Sequence, residues 1–488
     1  MTQSSVEPKT TAEDAGNGSR NPAGRSWLDR YFHISERGST VATEIRGGVT
    51  TFMAMAYILL LNPLILSGKD VDGNVLSQPA LITATALCAA ATTLLMGFWG
   101  KVPLALAAGL SVSGVMASQV VPVMTWPQAM GMSVAYGAVI CLLVVTGLRE
   151  MIMNAIPLAL KHAITIGIGL FIAIIGFVKA GFVHENPAPG GGPVTLGPAG
   201  ELEGWPVLIF ALTLLLIFAL QSRNIPGAIL IGIVAGTGVA ALLNAVADIP
   251  AKAWFSGAPE LNGSAVSAPD FSLIGDVSFS GWGDVGYITI TMIVFTLVLA
   301  GFFDAMATIL GVGTEAKLAD DKGRMPGLSK ALFIDGAGGI LGGAGGASGQ
   351  TVFVESATGV GEGARTGLAS VVTGAFFALC LFFTPLTAIV PQEVAAAALV
   401  VIGSMMMQNA KHVDWSDRSV AIPVFLTVVL MPFTYTITTG VAAGVISYAV
   451  IKSAQGKARE VGGFMWALTA VFVVYFAIHP IESWLGVG

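Results

Sequence analysis

The sequence predicts an all-α polytopic membrane protein whose fourteen transmembrane spans form two inverted repeats of seven. Three observations carry this prediction: the composition, a regular series of apolar stretches, and a similarity between the two halves of the chain. Of the 488 residues, 54% are hydrophobic and only 11% are charged. A soluble protein carries about 25% charged residues, so the composition places the chain in the membrane class. The net charge of -6 gives no support to nucleic-acid binding.

The apolar stretches come in two sets of seven, each close to the ~20 residues that cross a bilayer. They lie near 45–66, 79–99, 103–122, 127–148, 155–180, 204–221 and 225–247, and then near 286–312, 328–345, 349–363, 365–388, 392–409, 418–434 and 436–452. The segment 248–284 between the two sets is rich in Pro, Gly and Ser and is predicted to be an extracellular loop. A further apolar stretch at 463–480 follows, and its pattern does not decide whether it crosses the membrane.

The basic residues give the orientation, because cytoplasmic loops hold the excess of Lys and Arg. With the N-terminus inside, only Lys69, Lys179 and Lys252 fall in or beside outer loops. Residues 1–26 are rich in Ser, Thr, Gly and Asn and lack the apolar core of a signal peptide. They are predicted to form a disordered cytoplasmic tail. The protein is therefore expected to be a multi-pass protein of the cell membrane, surrounded by the lipid bilayer, with a cytoplasmic N-terminus.

The two halves resemble each other in outline. The stretches Pro157–Gly169 and Pro391–Gly403 have the same length and a similar apolar pattern. Because seven is odd, a repeat of seven spans must be inverted in the membrane. Inverted repeats place a ligand near the midplane, where broken segments of the two halves meet. The segments that correspond are Val102–Pro122 and Gly342–Val360, since each is interrupted by Gly or Ser.

The stretch from Gly336 to Gly367 holds the most informative residue, Glu355. A charged group at membrane depth is costly, so Glu355 is a candidate functional residue. The approach to it contains seven glycines, which we expect to be too many for a regular helix: Gly338, Gly339, Gly342, Gly343, Gly345, Gly346 and Gly349. Irregular backbone at membrane depth lines a cavity or is buried in protein, so the stretch is typical of a substrate site in a secondary transporter.

Polar and aromatic neighbours of Glu355 complete a candidate site for a flat ligand with N–H groups. Gln350 and Thr351 offer hydrogen bonds, and Phe353 offers a stacking surface. A second interpretation makes Glu355 a structural residue paired with Arg365.

A second acid, Asp304, lies mid-way along the eighth span, with Phe303 before it and Thr308 one turn later. It is either a cavity-facing carboxylate or a helix-end group. Two acids in an apolar environment resist being charged together, so one of them is expected to hold a proton at neutral pH. Asp304 and Glu355 are therefore candidates for coupling transport to H+, while Na+ coupling stays open because the same carboxylates suit either ion.

The remaining polar residues are given lesser roles. Asp335 and Asp417 are predicted to be gate or structural residues. The three cysteines have no metal-ligand spacing, the five histidines are scattered, and no nucleophile and base lie together. An enzyme, a metal site and a cofactor other than the coupling ion are therefore not expected.

Three stretches carry a resemblance to a known family. They are LDRYFHISERGSTVATEIRGGVTTFMAMAYILLLNPLIL, VESATGVGEGARTGLASVV and AIPVFLTVVLMPFTYTITTGVAAGVISYAVIK. Through them the chain resembles the nucleobase–cation symporter-2 superfamily of nucleobase/ascorbate transporters, and within it the AzgA-like adenine/guanine/hypoxanthine permeases. The resemblance covers the chain from Trp27 to about residue 480.

The resemblance implies a division into a core domain and a gate domain. The core domain comprises 27–148 (spans 1–4) and 286–388 (spans 8–11), and the gate domain comprises 155–247 (spans 5–7) and 392–452 (spans 12–14). The C-terminal tail, 453–488, holds the extra apolar segment. Spans 3 and 10 are implied to be half strand and half helix, the core to move past the gate like an elevator, and the protein to be a homodimer.

The resemblance also implies that Asp304 and Glu355 contact the base and help to couple the proton. This chain departs from the family at two places. Ser113 stands where the family has an Asn that contacts substrate, and the eighth span reads AGFFDAMAT where the family carries more polar residues. The loss of an amide is enough to change which base binds.

These features together predict proton-coupled uptake of a nucleobase, with a purine as the expected substrate. One alternative keeps the fold and changes the ligand to xanthine, uracil or another heterocycle. A second alternative is an anion transporter or channel, although two acids without a Lys or Arg at the predicted midplane suit an anion poorly.

Overall fold

The computed structural model describes residues 26–148, 156–186, 192–197, 200–247, 249–250, 253–254, 265–318 and 327–485. The predicted N-terminal tail lies outside the described residues except for Ser26. Within these residues, eight helices are long and apolar enough to cross a membrane, and shorter apolar helices accompany them. The observed helices follow the predicted stretches closely.

The first half of the chain contains nine helices and three strands among the described residues. They are α1 (Trp27–Phe32), α2 (Val41–Met55), α3 (Ile58–Ile65), α4 (Gln78–Leu95), β1 (Leu106–Ala108), α5 (Leu110–Val115), α6 (Trp126–Val145), α7 (Leu158–Lys179), β2 (Val183–Glu185), β3 (Val194–Leu196), α8 (Trp205–Ser222) and α9 (Ala228–Ala247). Single π-helical turns, Met96–Gly100 and Met116–Val120, extend α4 and α5. Together α2 and α3 form the predicted span 1.

The second half repeats this order. It contains α10 (Trp282–Val285), α11 (Tyr287–Glu315), α12 (Leu328–Ala344), β4 (Gln350–Val352), α13 (Ser356–Gly361), α14 (Gly367–Cys380), α15 (Thr384–Ala388), α16 (Gln392–Met406), α17 (Arg418–Thr434), α18 (Ile437–Ala454) and α19 (Gly463–Leu485). The undecided apolar stretch at 463–480 is thus part of a helix. It packs against α18, and the Phe472 ring contacts Phe295 of α11.

The helices pack in two groups. The first group pairs α6 with α12 and places α14 against α2 and α4, while the second pairs α7 with α16 and α17, and α17 with α18. Between the groups, α2, α3, α5 and α11 of the first contact α7, α9, α16 and α18 of the second. The division into core and gate domains that the resemblance implies stays a prediction.

Spans 3 and 10 are broken as expected, and their strands meet. Strand β1 pairs antiparallel with β4 in the register Leu106 with Val352, Ala107 with Thr351 and Ala108 with Gln350. The backbone pairing extends beyond the strands, because the Gly109 N–H donates to the Gly349 carbonyl at 2.9 Å and the Phe353 N–H to the Ala105 carbonyl at 3.0 Å. All six strand residues are buried, which satisfies the requirement that irregular backbone at this depth be enclosed.

The expectation that the glycine run excludes a regular helix was wrong for its first part. Helix α12 continues to Ala344, so four of the seven glycines lie inside it. The physical reason is close packing against α6: a Cβ on Gly339 would lie 2.7 Å from the Gly137 Cα, and one on Gly343 would lie 2.7 Å from the Met130 carbonyl oxygen. Small residues at this contact let the two backbones approach, as in many membrane helix pairs.

The helical path is broken after Ala344, between α12 and β4. Here Gly346 has φ +77° and Ser348 has φ +65°, a left-handed conformation that costs little only for glycine. The predicted eleventh span is also interrupted, since α14 ends at Cys380 and α15 begins at Thr384 with Pro385 in its first turn.

Candidate functional site

The candidate site lies where the paired strands end and the two half-helices, α5 and α13, begin. Helix α11, which carries Asp304, packs against α5, β4 and α13. The structure therefore brings spans 3 and 10 together, as the sequence predicted from the broken segments, and it places span 8 beside them. Each of the predicted site residues is described below at the position where the structure places it.

Glu355 precedes the first residue of α13 and is partly buried. Its Oε1 atom accepts a hydrogen bond from the Tyr57 hydroxyl, which reaches across from span 1. Its backbone carbonyl accepts from the Thr358 hydroxyl at 2.7 Å. Next to it, Val354 is 52% exposed.

The alternative in which Glu355 pairs with Arg365 is not the arrangement that the structure holds. Arg365 Nη1 donates to the backbone carbonyls of Val360 at 2.7 Å and Ala364 at 2.6 Å. The backbone N–H of Arg365 donates to a different carboxylate, Glu44 Oε1, at 2.8 Å. Arg365 thus closes the end of α13 and is not a partner for Glu355.

Ser113 lies in α5 with its side chain completely buried. Its hydroxyl donates to Asn62 Oδ1 at 2.7 Å and lies 2.8 Å from the Ser348 hydroxyl. The Asn62 amide in turn donates to Thr85 Oγ1 at 2.9 Å and to the Ala347 carbonyl at 3.0 Å. This cluster joins spans 1, 2, 3 and the turn before β4, so the hydroxyl of Ser113 is engaged within the protein.

Gln350 and Thr351 are also fully buried and bind protein groups. Gln350 Nε2 donates to the Ser348 carbonyl at 3.0 Å, and its Oε1 atom is buried without a hydrogen-bond partner. The Thr351 hydroxyl donates to Asp335 Oδ1 at 3.0 Å. Asp335 lies in α12, so this bond ties the strand of span 10 to span 9. The predicted gate or structural role of Asp335 stays a prediction.

The structure describes only some of the aromatic and hydroxyl side chains that neighbour the two acids. Phe353 is mostly buried, and its ring centroid lies 6.5 Å from that of Tyr57. Thr308 lies buried in α11. Asp304 and Phe303 also lie in α11, between Phe302 and Thr308, but their side chains are outside the described residues.

Asp417 lies far along the chain, at the start of α17. Its side chain accepts from the Ser419 N–H at 2.8 Å and so caps that helix. Asp417 thus lies at the start of a helix, and its predicted gate or structural role stays a prediction.

Sequence reasoning missed Tyr57 and gave Asn62 too small a role. Tyr57 stands in a run of apolar residues and carries no local signal of contact with span 10. Asn62 stands before Pro63 near the end of the predicted span 1. Helix α3 in fact continues through Pro63, and the interruption of span 1 lies earlier, at Ala56 and Tyr57. A buried amide before a proline was the available signal, since buried polar groups need partners.

The arrangement suits recognition of a small ligand that donates hydrogen bonds. A carboxylate offers about four acceptor positions, of which the tyrosine uses one. The hydrogen-bond donors of Ser113, Gln350 and Thr351 are engaged within the protein, so these bonds help to hold the broken spans in place. Charge-assisted hydrogen bonds to the carboxylate are the strong interactions this site can make.

The sequence is similar to those of known proteins. A model of the permease family matches residues 42–443. Adenine permease AdeP of Escherichia coli (strain K12) is 36% identical over 457 residues, which cover 93% of this chain and 96% of the relative. Guanine/hypoxanthine permease PbuG of Bacillus subtilis (strain 168) is 35% identical over 459 residues, covering 92% of this chain and 99% of the relative.

Solved structures with low sequence identity confirm the fold. The transmembrane domain of the cyanobacterial bicarbonate transporter BicA superposes with a TM-score of 0.60 at 16% identity, over 82% of this chain and 97% of that one. Murine Slc26a9, an anion transporter, in its inward-facing state superposes with a TM-score of 0.61 at 12% identity, over 92% of this chain and 77% of that one. The fold therefore matches the inverted-repeat fold of these transporters, as the sequence predicted.

The match to the family model covers most of the chain, and the relatives align over nearly their whole lengths. The chain is therefore a transporter and belongs to the permease family, that of the nucleobase/ascorbate transporters.

Proposed function

We propose that this permease takes up a nucleobase, a purine such as adenine, guanine or hypoxanthine, together with H+. The observation that carries the proposal is the carboxylate of Glu355, held by Tyr57 where the two broken spans meet. The relatives, an adenine permease and a guanine/hypoxanthine permease, support the same substrate class.

The chemistry of a purine matches this carboxylate. Purines present N–H groups at the edge of a flat ring, and a carboxylate accepts from such donors. Phe353, and Phe303 from span 8, would supply a stacking surface for the ring. In this proposal Glu355, Asp304, Thr308 and the two phenylalanines contact the base. Ser113, Gln350 and Thr351 shape the site from behind, because their hydrogen-bond donors are engaged within the protein.

The substrate is tested by thermal melting of the detergent-solubilised protein with a panel of ligands. A ligand that binds the native state raises the apparent melting temperature. We expect adenine, guanine or hypoxanthine to raise it, with xanthine and uracil weaker and bicarbonate without effect. Stabilisation by uracil or xanthine alone would favour the alternative heterocycles, and stabilisation by bicarbonate would favour an anion transporter. The site argues against an anion, since Glu355 would repel it.

Coupling to H+ is proposed to use Glu355 together with Asp304. Binding of a base to one protonation state of such a pair makes ligand and proton occupancy depend on each other. Uptake of radiolabelled base into cells should therefore collapse when a protonophore dissipates the gradient. Full uptake with the protonophore, combined with a requirement for Na+, would assign the coupling to sodium.

The motion is proposed to be elevator-like, with the core domain carrying the site past the gate domain. The packing of the helices in two groups supports this division, because the most extensive helix contacts lie within each group. We further propose that the protein is a homodimer in the cell membrane with its N-terminus in the cytoplasm. Crosslinking of single-cysteine variants in cells, with and without substrate, measures both the dimer and the movement.

A further inference from the structure

Tyr57 is the one residue of span 1 whose side chain the structure places on the proposed substrate-binding carboxylate. It lies between α2 and α3, where two backbone hydrogen bonds join residues that are only three positions apart. The Leu59 N–H donates to the Ala56 carbonyl at 3.2 Å, and the Leu60 N–H donates to the Tyr57 carbonyl at 3.0 Å. Its ring is 1% exposed, while its hydroxyl donates to Glu355 Oε1. The two residues are 298 positions apart in the chain.

The burial of the ring fixes the direction of the hydroxyl. The Tyr57 ring packs near Phe353, which stands two residues before Glu355 in the chain. The two ring centroids are 6.5 Å apart. Because the Tyr57 ring is buried beside Phe353, it has little rotational freedom. The Tyr57 hydroxyl therefore meets the Glu355 carboxylate in one geometry. As a residue, Glu355 is less buried than Tyr57.

A second contact joins the same two spans. The Asn62 amide, on the next turns of span 1, donates to the Ala347 carbonyl just before β4 at 3.0 Å. Span 1 therefore holds span 10 at two points: one on the backbone before the strand, and one on the side chain after it. The backbone contact fixes the position of the strand, and the tyrosine contact fixes the orientation of the carboxylate.

We propose that Tyr57 is a positioning residue for substrate binding: it occupies one acceptor position of Glu355 and presents the rest of the carboxylate to the N–H groups of the base. The inference rests on the proposed function of Glu355. Pre-organisation of this kind reduces the ordering that binding would otherwise require. Tyr57 itself does not touch the ligand in this account.

The test is Tyr57→Phe, which keeps the buried ring and removes only the donor. Loss of a hydrogen bond to a charged group should raise the KM for purine uptake about tenfold, with the maximal rate unchanged within about twofold. Tyr448→Phe is the matched control, because Tyr448 lies in α18 with its ring 5.8 Å from Lys452 Nζ. An unchanged KM for Tyr57→Phe in protein with the wild-type melting temperature would overturn the proposal.

A double-mutant cycle separates positioning from simple structural support. Glu355→Asp shortens the side chain by one methylene, so its carboxylate no longer reaches the tyrosine. Tyr57→Phe should then add little to the KM of Glu355→Asp, because the effect of the tyrosine passes through the glutamate. If the KM of the double variant rises by the product of the two single increases, Tyr57 acts independently of Glu355, and the proposal is wrong. If the wild-type protein neither binds nor takes up a purine, the proposed function fails, a result distinct from failure of the cycle.

Discussion

The two broken spans share one backbone plan, a three-residue strand followed by a six-residue helix. Their side chains differ. The segment 106–120 of span 3 holds no charged residue, and its Ser113 is fully buried in a hydrogen-bonded cluster. The segment 350–361 of span 10 carries one charged residue, Glu355, which is partly buried. An inverted repeat can thus supply a symmetric scaffold while only one copy carries the reactive group.

The largest effect is expected on the span 10 side of the comparison. Glu355→Gln keeps the size of the side chain and removes its charge, so purine uptake should fall about 100-fold or more. Uptake of radiolabelled base into cells, normalised to protein in the membrane, measures the loss. The matched control is Glu362→Gln, since Glu362 is exposed in an ion pair with Arg46. Normal uptake by Glu355→Gln would place the site elsewhere.

The span 3 side should respond in stability before it responds in transport. Asn62→Ala removes the amide that donates to the Ala347 carbonyl, and it removes one of the two partners of the Ser113 and Thr85 hydroxyls. A buried group left unpaired costs about 1–3 kcal/mol, so the melting temperature should drop. Asn409→Ala is the control, because Asn409 is only partly buried and lies outside this cluster, where it bonds the Met406 carbonyl and the His162 side chain. A wild-type melting temperature for Asn62→Ala would contradict the scaffold role of the cluster.

A smaller effect is expected where the scaffold depends on close packing. A Cβ on Gly339 would meet the backbone of Gly137 at 2.7 Å, and overpacking of this kind costs about 1–3 kcal/mol. Gly339→Ala should therefore lower the melting temperature of the purified protein. Gly238→Ala in α9 has nothing within 4 Å of the added methyl group and should melt like the wild type. Equal melting of the two variants would show that α6 and α12 tolerate separation.

The smallest effect is expected at the exposed end of span 10. Arg46 Nε lies 2.9 Å from Glu362 Oε2, with side-chain exposures of 65% and 36%. Surface ion pairs contribute at most about 1 kcal/mol. Arg46→Gln should shift the melting temperature slightly and leave the KM unchanged. A loss of purine uptake would mean that the end of α13 is coupled to the site more tightly than its exposure suggests.

Much of the fold could be predicted because membrane spans have strong local signals. Length, hydropathy and the distribution of Lys and Arg place most helices within a few residues. The break before β4 was also visible, since Gly345, Gly346 and Gly349 leave the helix without side chains to pack. The interruption at Ala56 and Tyr57 could not be predicted, because neither residue breaks helices by itself.

Glycine was misread in α12 because one residue type serves two purposes. A glycine permits irregular backbone, and it also permits two helices to touch. The sequence of span 9 does not reveal the partner helix. Only the contact between Gly339 and Gly137 distinguishes the two cases.

The candidate site could be predicted as far as Glu355, since a carboxylate in an apolar segment stands out. Its support could not be predicted. Tyr57 and Asn62 act across almost 300 residues of chain, and nothing in their immediate neighbours indicates the contact. Gln350 and Thr351 show the opposite case: they adjoin the acid in sequence, but their donors bond Ser348 and Asp335.

Direct binding of a purine to purified protein tests the central claim, that the carboxylate of span 10 receives the base. Isothermal titration with adenine, guanine and hypoxanthine should give a measurable Kd for the wild type. For Glu355→Gln we expect a Kd weaker by about 100-fold or more, with an unchanged melting temperature in the absence of ligand. Equal affinity of the two proteins for the base would contradict the account.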